Sequence, residues 1–215
     1  MLLMQKIIYI FGKGQLGTYY RDYFTGKGCF VVNEKIEIRD YAAVKEALTK
    51  TKPALVINTA AKTNLDWCEK ERLECFDNNT LGADTVGRVC QELGVYLVHL
   101  SSGCVQESLT EKDVHTEEED VHPVSWYSWT KVFAEKLLLD RMNHYGLKVL
   151  ILRPRQLLSA MVSPRNAITK LLTYNKFIDT PNSCTIVEDL MYATDKLVEK
   201  NITGDWQQMW TNVQL

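Results

Sequence analysis

Tyr127 and Lys131 are the side chains of this sequence whose types and spacing best suit proton transfer. Residues four apart share one face of a helix, so the lysine ammonium is expected to lower the pKa of the phenol and to hold a ribose. A phenol in that state can give a proton to a substrate carbonyl. A serine pair, Ser101 and Ser102, precedes them at the end of an apolar segment. The Tyr-x-x-x-Lys spacing is common by itself. The serine pair before it strengthens the interpretation of Tyr127 and Lys131 as a proton-transfer pair.

A glycine-rich segment, GKGQLG at residues 12–17, directly follows the first apolar segment and opens a helical pattern. The first glycine permits a tight turn, the second lets a pyrophosphate approach the backbone, and the third lets the helix pack on the strand. The N-terminus of the helix attracts the phosphate charge. The segment predicts a dinucleotide site that uses Gly12, Gly14, Gln15, Leu16 and Gly17.

The sequence leaves the choice between NAD and NADP open. Glu34 stands about twenty residues after the glycines, where a carboxylate binds the ribose hydroxyls of NAD. Lys35 and Arg39 follow closely, and their cations suit the 2'-phosphate of NADP. We therefore expect NAD or NADP as the cofactor, with Glu34 and Arg39 as candidate residues at the ribose.

Strands and helices alternate along the chain as these motifs require. Apolar segments predict strands at 6–11, 29–33, 54–58, 96–101 and 148–152, and helical spacing predicts helices at 15–27, 41–50, 72–93 and 126–145. Beyond Arg153 the pattern weakens, to helices near 165–174 and 188–201 and a strand at 206–210. Repeated β-α-β units predict an α/β fold with a Rossmann-like, doubly wound parallel sheet.

We expect two unequal domains. Residues 1–155 would form a dinucleotide-binding Rossmann domain, and residues 156–215 a partial substrate-binding lobe whose chain crosses back to the sheet near 178–205. Arg155 follows a strand end, where the ligands of parallel sheets gather, and could clamp a substrate pyrophosphate. The alternative is that Arg153 or Arg155 is a structural ion-pair partner.

Composition excludes several classes of partner. The net charge of −2 provides no basic field for nucleic acid or anionic lipid, and the apolar segments are too short for a membrane span or a signal peptide. Six cysteines without a Cys-x-x-Cys pair favour reduced thiols in the cytoplasm over disulfides or a zinc site. We expect a cytoplasmic protein with no metal site, whose partner is a small-molecule substrate.

Taken in order, the glycine turn, the serine pair and the Tyr-x-x-x-Lys motif resemble the extended short-chain dehydrogenase/reductase family. The resemblance implies that Ser102, Tyr127 and Lys131 are catalytic and that Tyr127 and Lys131 also bind the cofactor. It further implies that the segment NTAA lines the cofactor through Asn58, Ala60 and Ala61, and that Asn79 matches an asparagine of the family's central helix. Relatives pair through the helices at 72–93 and 126–145, which implies a homodimer.

Shorter strings resemble the nucleotide-sugar branch of this family. LDWCE at 65–69, SGCV at 102–105, SPRNAITK at 163–170 and parts of 174–183 look like the 3,5-epimerase/4-reductases that make UDP-rhamnose from UDP-4-keto-6-deoxyglucose. The dTDP-4-dehydrorhamnose reductases and GDP-fucose synthases are more distant. The resemblance implies a nucleotide-sugar substrate, Cys104 and Lys170 as the acid/base pair of epimerisation, and Asn166 in substrate binding.

The sequence departs from the resemblance in ways that keep alternatives open. Glu34 and Glu37 stand where relatives place an arginine for NADP. The glycine turn is more closely spaced than that of the UDP-rhamnose-forming enzymes. Relatives also continue for some tens of residues beyond the region matched here. The substrate lobe is therefore predicted to be truncated. One alternative is a 4-reductase without epimerase activity, with Cys104 only packing. The other is a non-catalytic dinucleotide-binding regulatory module.

Overall fold

Eight strands lie within residues 6–106, 120–161, 166–175 and 183–206, which the computed structural model describes. They are β1 Ile7–Phe11, β2 Phe30–Val32, β3 Leu55–Asn58, β4 Tyr96–Leu100, β5 Val149–Leu152, β6 Leu157–Leu158, β7 Thr185–Ile186 and β8 Gly204–Trp206. Six form a parallel sheet in the order β2-β1-β3-β4-β5-β8, and β6 and β7 pair in a small second sheet.

Within the described residues, eight α-helices connect these strands. They are α1 Gln15–Gly26, α2 Tyr41–Thr51, α3 Leu65–Lys70, α4 Arg72–Phe76, α5 Gly82–Leu93, α6 Trp126–Tyr145, α7 Ala167–Leu171 and α8 Val187–Glu199. Side chains that accept from backbone N–H groups start several of them: Asp40 caps α2, Asn64 caps α3 and Ser125 caps α6. α5 and α6 end on Gly94 and Gly146 in the left-handed conformation, which glycine adopts without strain.

Two apolar cores cover the two faces of the sheet. Alternate residues of each strand point to opposite faces, so Ile8 and Ile10 pack with α1 and α8, whereas Tyr9 and Phe11 pack with α2, α5 and α6. Burial on both faces explains why the strands read as continuous apolar segments. The prediction of a doubly wound parallel sheet is confirmed.

The strand order reverses beside β1, and this reversal opens a crevice. The chain runs from β1 to β2 on one side and then crosses to β3 on the other side. At such a point the loops that follow neighbouring strands diverge, and ligands of α/β proteins bind at the carboxyl ends of those strands. The residues that follow β1, β3, β4 and β5 therefore share one edge of the sheet.

The structure corrects the element predictions in several places. The single helix expected at 72–93 is α4 and α5 separated by a π-helical turn, Asp77–Leu81, and the sequence pattern missed α3. The π turn rotates the buried polar side chains Asn79 and Thr80 toward α6. β2 and α7 are shorter than expected. β8 begins at Gly204, and the rest of the strand expected at 206–210 lies outside the described residues.

α8 lies against α1, and β8 pairs with β5, so the chain after residue 183 returns to the main sheet. The segments 163–165 and 176–182, used in the resemblance, lie outside the described residues. Within the described part of the chain, no helix has both the length and the apolar character needed to cross a lipid bilayer.

Gly87→Val is expected to lower the free energy of unfolding by about 1–3 kcal/mol. A side chain at Gly87 would overlap the buried Leu138 where α5 packs on α6. Gly26→Val is the matched control, since no described atom lies within 4 Å of the position of its Cβ. Urea unfolding followed by circular dichroism measures both. Equal loss of stability in the two variants would show that α6 can move away from α5.

Candidate active site

The glycine turn after β1 is shaped by close backbone contacts. Gly12 has a φ of +94°, and a Cβ there would lie 2.7 Å from the backbone nitrogen of Ala60. A Cβ at Gly17 would overlap the carbonyl oxygen of Gly12, so α1 can approach the turn only because residue 17 is glycine. At Gly14, in contrast, no described atom lies within 4 Å of a Cβ position. The turn is closed toward the protein and open on the outside at Gly14.

The start of α1 has donors available for an anion. Gly14 is the N-cap and supplies no side chain to the first turn, which leaves the backbone N–H groups of Gln15 and Leu16 without an intrahelical partner. The amide nitrogen Nε2 of Gln15 is buried, and within the described residues it has no hydrogen-bond partner. An orphaned donor beside a helix N-terminus fits a pyrophosphate, so these residues could hold a dinucleotide.

Asn33, which the sequence analysis did not single out, supports the glycine turn. Its Nδ2 donates to the carbonyl oxygens of Ile10 at 2.8 Å and Gly12 at 3.0 Å. The side chain thus joins the end of β2 to the turn after β1. The sequence signal that could have identified Asn33 is an amide side chain directly after a short strand, because such a side chain is well placed to bond the neighbouring backbone.

The charged residues that follow β2 are exposed and already paired in part. Tyr9 donates its hydroxyl to Glu34 at 3.4 Å. Arg39 forms a bidentate ion pair with Glu37, with distances of 3.0 and 2.9 Å. The carboxylate of Glu34 suits a ribose, whereas the charge of Arg39 is partly neutralised by Glu37. The geometry leaves both NAD and NADP possible.

The end of β3 is fixed by Asn58, which is fully buried. Its Oδ1 accepts from the backbone of Ala60 at 3.1 Å, and its amide lies 3.3 Å from Nδ1 of His99 on β4. His99 is a buried core residue, as expected, and burial holds its pKa well below the usual value. Ala60 and Ala61 follow as half-buried residues beside the glycine turn.

Asn79 joins the π turn to the segment after β3 and to α6. Its Oδ1 accepts from the backbone of Lys62 at 2.7 Å, and its Nδ2 donates to the carbonyl oxygen of Lys62 at 2.9 Å and to Thr130 at 3.1 Å. Thr80 donates to the carbonyl oxygen of Thr130 at 2.8 Å. The π turn therefore holds α6 at Thr130, the residue directly before Lys131.

Ser102, Tyr127 and Lys131 come together at the carboxyl end of β4. The side chain of Ser102 lies close enough to the Tyr127 phenol to lower its pKa. Lys131 is 1% exposed, and its Nζ donates to the carbonyl oxygen of Leu100 at 2.7 Å. Tyr127 is 8% exposed and packs with Cys68 and Cys75. The three side chains that the sequence singled out as catalytic thus share one buried corner.

The pKa values in this corner differ from the expectation. Burial raises the pKa of the Tyr127 phenol, and the nearby side chain of Ser102 offsets this only in part. Burial also lowers the pKa of Lys131 to about 8, although the charge of Glu135 acts in the opposite direction. The pKa of Tyr127 is thus raised and not lowered as expected, because loss of water dominates. A phenol with a raised pKa keeps its proton near neutral pH and can donate it.

A buried ion pair beneath this corner was missed by the sequence analysis. Glu135, 2% exposed, accepts from Arg153 at 3.0 Å and 2.7 Å and from the hydroxyl of Ser101. Glu135 lies four residues after Lys131, on the same face of α6. A carboxylate that continues the spacing of Tyr127 and Lys131 was the signal that could have identified it. Arg153 takes the structural role that the sequence analysis kept as an alternative.

Cys104 lies in a short 3₁₀ turn, Gly103–Val105, directly after Ser102. Its backbone N–H donates to Oγ of Ser102 at 3.2 Å. Arg155 closes this turn, since its Nη1 donates to the carbonyl oxygens of Gly103 and Gln106, both at 3.1 Å. Arg155 thus supports the turn that carries Cys104, and a role as pyrophosphate clamp stays a prediction.

Asn166 and Lys170 lie on the small lobe. Asn166 is buried, caps α7, and donates its amide to the carbonyl oxygens of Ser159 at 2.7 Å and Met161 at 3.0 Å. Both amide hydrogens therefore hold the local turn. Lys170 is exposed on α7. Their roles toward a substrate stay predictions.

Comparison with known proteins supplies the family. The model of the RmlD substrate binding domain matches residues 4–193. A bifunctional dTDP-4-dehydrorhamnose 3,5-epimerase/dTDP-4-dehydrorhamnose reductase of Arabidopsis thaliana is 33% identical over 177 residues, 78% of this chain and 57% of that protein. A trifunctional UDP-glucose 4,6-dehydratase/UDP-4-keto-6-deoxy-D-glucose 3,5-epimerase/UDP-4-keto-L-rhamnose-reductase of the same plant is 32% identical over 208 residues, 92% of this chain and 30% of that protein.

Comparison with solved structures gives proteins with similar names. The L780 UDP-rhamnose synthase of Acanthamoeba polyphaga mimivirus superposes with a TM-score of 0.85 and 26% identity, over 94% of this chain and 74% of that one. A dTDP-4-dehydrorhamnose reductase of Bacillus anthracis in complex with NADP shares the fold, with a TM-score of 0.85 and 22% identity over 97% and 75% of the two chains. The chain spans a little more than half of the bifunctional plant protein and under a third of the trifunctional one. Since the family model covers most of its length, the chain belongs to the RmlD substrate binding domain family.

Proposed function

We propose that this chain binds NAD or NADP and reduces the 4-keto group of a nucleotide-linked 4-keto-6-deoxy sugar to a rhamnose-type product. The observation that carries the proposal is the buried corner in which the Ser102 side chain lies beside Tyr127, one helical turn from Lys131. The names of the relatives given above describe enzymes of rhamnose synthesis, which supports this substrate class.

The cofactor would lie across the crevice between β1 and β3. The start of α1, with Gly14 and the orphaned amide of Gln15, would hold the pyrophosphate, and Glu34 or Arg39 would meet the adenosine ribose. Bound there, the nicotinamide supplies the hydride for carbon 4. Asn58, through its bond to Ala60, keeps the segment after β3 in place beside the turn.

The reducing step needs a proton donor and a site for negative charge. Tyr127 would give its phenolic proton to the C4 oxygen as the hydride reaches C4, so that the carbonyl becomes a hydroxyl. Ser102 would donate a hydrogen bond to the same oxygen, and the Lys131 ammonium would stabilise the tyrosinate that remains. The raised pKa of Tyr127 keeps this proton in place until the substrate is bound.

The sugar would be bound by the smaller part of the chain. We propose that residues 1–155 hold the cofactor and that 156–215 contribute a partial substrate lobe, with Asn166 shaping the turn before α7. Arg155 lies between the two, where its side chain borders the turn of Cys104.

All six cysteines are free thiols, which supports a reducing compartment, and we propose the cytoplasm.

Epimerisation at C3 and C5 is a second proposed activity. A 4-keto group acidifies both hydrogens, so a base on one face and an acid on the other can invert these carbons through an enolate. Cys104 is favoured as one of these groups because its turn begins at Ser102, which would stabilise the enolate oxygen. Lys170 is the candidate for the second group. A 4-reductase without epimerase activity is the alternative.

We also propose a homodimer that forms through the outer face of α4, α5 and α6. Large apolar side chains are exposed along this face: Leu73 (74%), Leu81 (45%), Trp129 (40%), Leu137 (37%) and Tyr145 (62%). Trp129 and Phe133 also line an open cleft of about 440 Å³ there. Several large apolar side chains exposed on neighbouring elements are typical of a surface that a second copy covers.

Tyr127→Phe is expected to lower kcat for the reduction at least about 100-fold, because it removes the proton donor. Cofactor affinity should stay near that of the wild type, since the ring and Lys131 remain. Absorbance of NADH or NADPH with UDP-4-keto-6-deoxyglucose measures turnover, and fluorescence titration measures binding. Dinucleotide binding without turnover in the wild-type protein would instead favour the non-catalytic module.

Reaction in deuterated water tests the epimerase activity. The wild-type product should carry deuterium at C3 and C5, whereas Cys104→Ser should yield product without it. Cys29→Ser is the matched control, since Cys29 lies at the start of β2 on the α1 side of the sheet. Mass spectrometry and NMR of the product give the label positions. Deuterium at wild-type levels in the Cys104 variant would exclude this thiol as the base.

Leu137→Glu is expected to convert the dimer into a monomer, because it buries a charge in the proposed interface. Leu172→Glu serves as the control: Leu172 is 83% exposed, at the end of α7 and away from the outer face of α4, α5 and α6. Sedimentation velocity at micromolar concentration measures both. A wild-type monomer would contradict the proposed assembly.

A further inference from the structure

α6 is attached to the end of β4 by three contacts at successive helical turns. Tyr127 lies beside the side chain of Ser102, Lys131 donates to the carbonyl oxygen of Leu100 at 2.7 Å, and Glu135 accepts from the hydroxyl of Ser101. The helical residues are spaced by four, so they form one row along the face of α6 that meets the sheet. Their partners are three consecutive residues, 100–102, at the carboxyl end of β4.

The third contact is anchored from the next strand. Arg153 directly follows β5 and donates Nε and Nη2 to the two carboxylate oxygens of Glu135, at 3.0 and 2.7 Å. Ser101 in turn donates its backbone N–H to the carbonyl oxygen of Leu152 at 2.7 Å. Glu135 therefore joins the end of β4, the end of β5 and α6 at one buried point.

Glu135 is placed to act on both groups that the proposed reduction needs. Through Ser101 it holds the residue before Ser102, which sets where the serine hydroxyl lies relative to Tyr127. Through its charge, one turn along α6, it favours the ammonium form of the buried Lys131. Neither Ser101 nor Glu135 is placed to touch a substrate, because both hydroxyl and carboxylate are occupied inside the protein.

We propose that Glu135 is a positioning residue of this active site, which holds Ser102 through Ser101 and keeps Lys131 in its charged form. The catalytic role of Glu135 rests on the proposed reduction, whereas the effect of Glu135 on Lys131 does not. The titratable and charged groups around Lys131 are Tyr127 and Glu135 on α6, His99 on β4, Cys75 on α4, and Arg153 after β5, which faces Glu135.

Glu135→Gln tests the charge, and the direction follows from the contacts. The amide retains an oxygen for Ser101 but loses the negative charge that favours the Lys131 ammonium, so the pKa of Lys131 should fall from about 8 by about one pH unit. Lysine labelled with ¹³C at Cε reports this titration by NMR without cofactor or substrate, and Lys131→Met assigns the signal. Asp140→Asn is the matched control, an exposed carboxylate on the same helix.

Ser101→Ala tests the positioning and leaves the Glu135–Arg153 ion pair in place. It should lower kcat by about tenfold, leave the pKa of Lys131 unchanged, and leave cofactor affinity near that of the wild type. If Glu135→Gln does not fold, Ser101→Ala is the remaining test of the proposal. A wild-type kcat in Ser101→Ala would then overturn it. An unchanged titration of Lys131 in folded Glu135→Gln would also overturn it. Wild-type protein without turnover would instead contradict the proposed reduction, and the titration of Lys131 would still test Glu135.

Discussion

The burial of one ammonium group, that of Lys131, constrains the organisation of the candidate active site. A cation removed from water is stable only if oxygen atoms replace its hydration shell and an opposite charge lies nearby. Leu100 supplies a carbonyl oxygen from the end of β4, and Glu135 supplies charge from the same helix. Both can do so only if α6 lies flat against the carboxyl end of the sheet. That placement is also what brings Tyr127 to Ser102.

The second half of the site depends on backbone packing rather than on charge. Gly12 and Gly17 let α1 come close to β1 and to the segment after β3, and Asn33 ties this turn to β2. The turn is open at Gly14, beside the N-terminal N–H groups of α1. The two halves share the parallel sheet as a common base, because every strand that carries a site residue ends at the same edge. The sheet therefore fixes the distance between the proposed sites for phosphate and for proton transfer.

Much of the fold was predictable because its signals are local. Continuous apolar strands, a glycine turn and capped helices each depend on neighbouring residues, and the bounds of α6 followed from its spacing and from Gly146. The π turn was not predictable, since it arises from the long-range bonds of Asn79 and Thr80 to Lys62 and Thr130. The small lobe was predicted least well. Its elements are short, and their order depends on contacts such as those of Asn166 rather than on periodicity.

The sequence by itself determined the residue types of the site, their order and the strand ends on which they lie, because motif spacing and strand patterning are properties of the linear chain. Only the tertiary structure decided the protonation behaviour of the site and the supports behind it. The raised pKa of Tyr127 and the lowered pKa of Lys131 result from burial by elements far apart in the chain. The roles of Glu135, Arg153 and Arg155 likewise depend on partners that are brought together only when the sheet and its helices assemble.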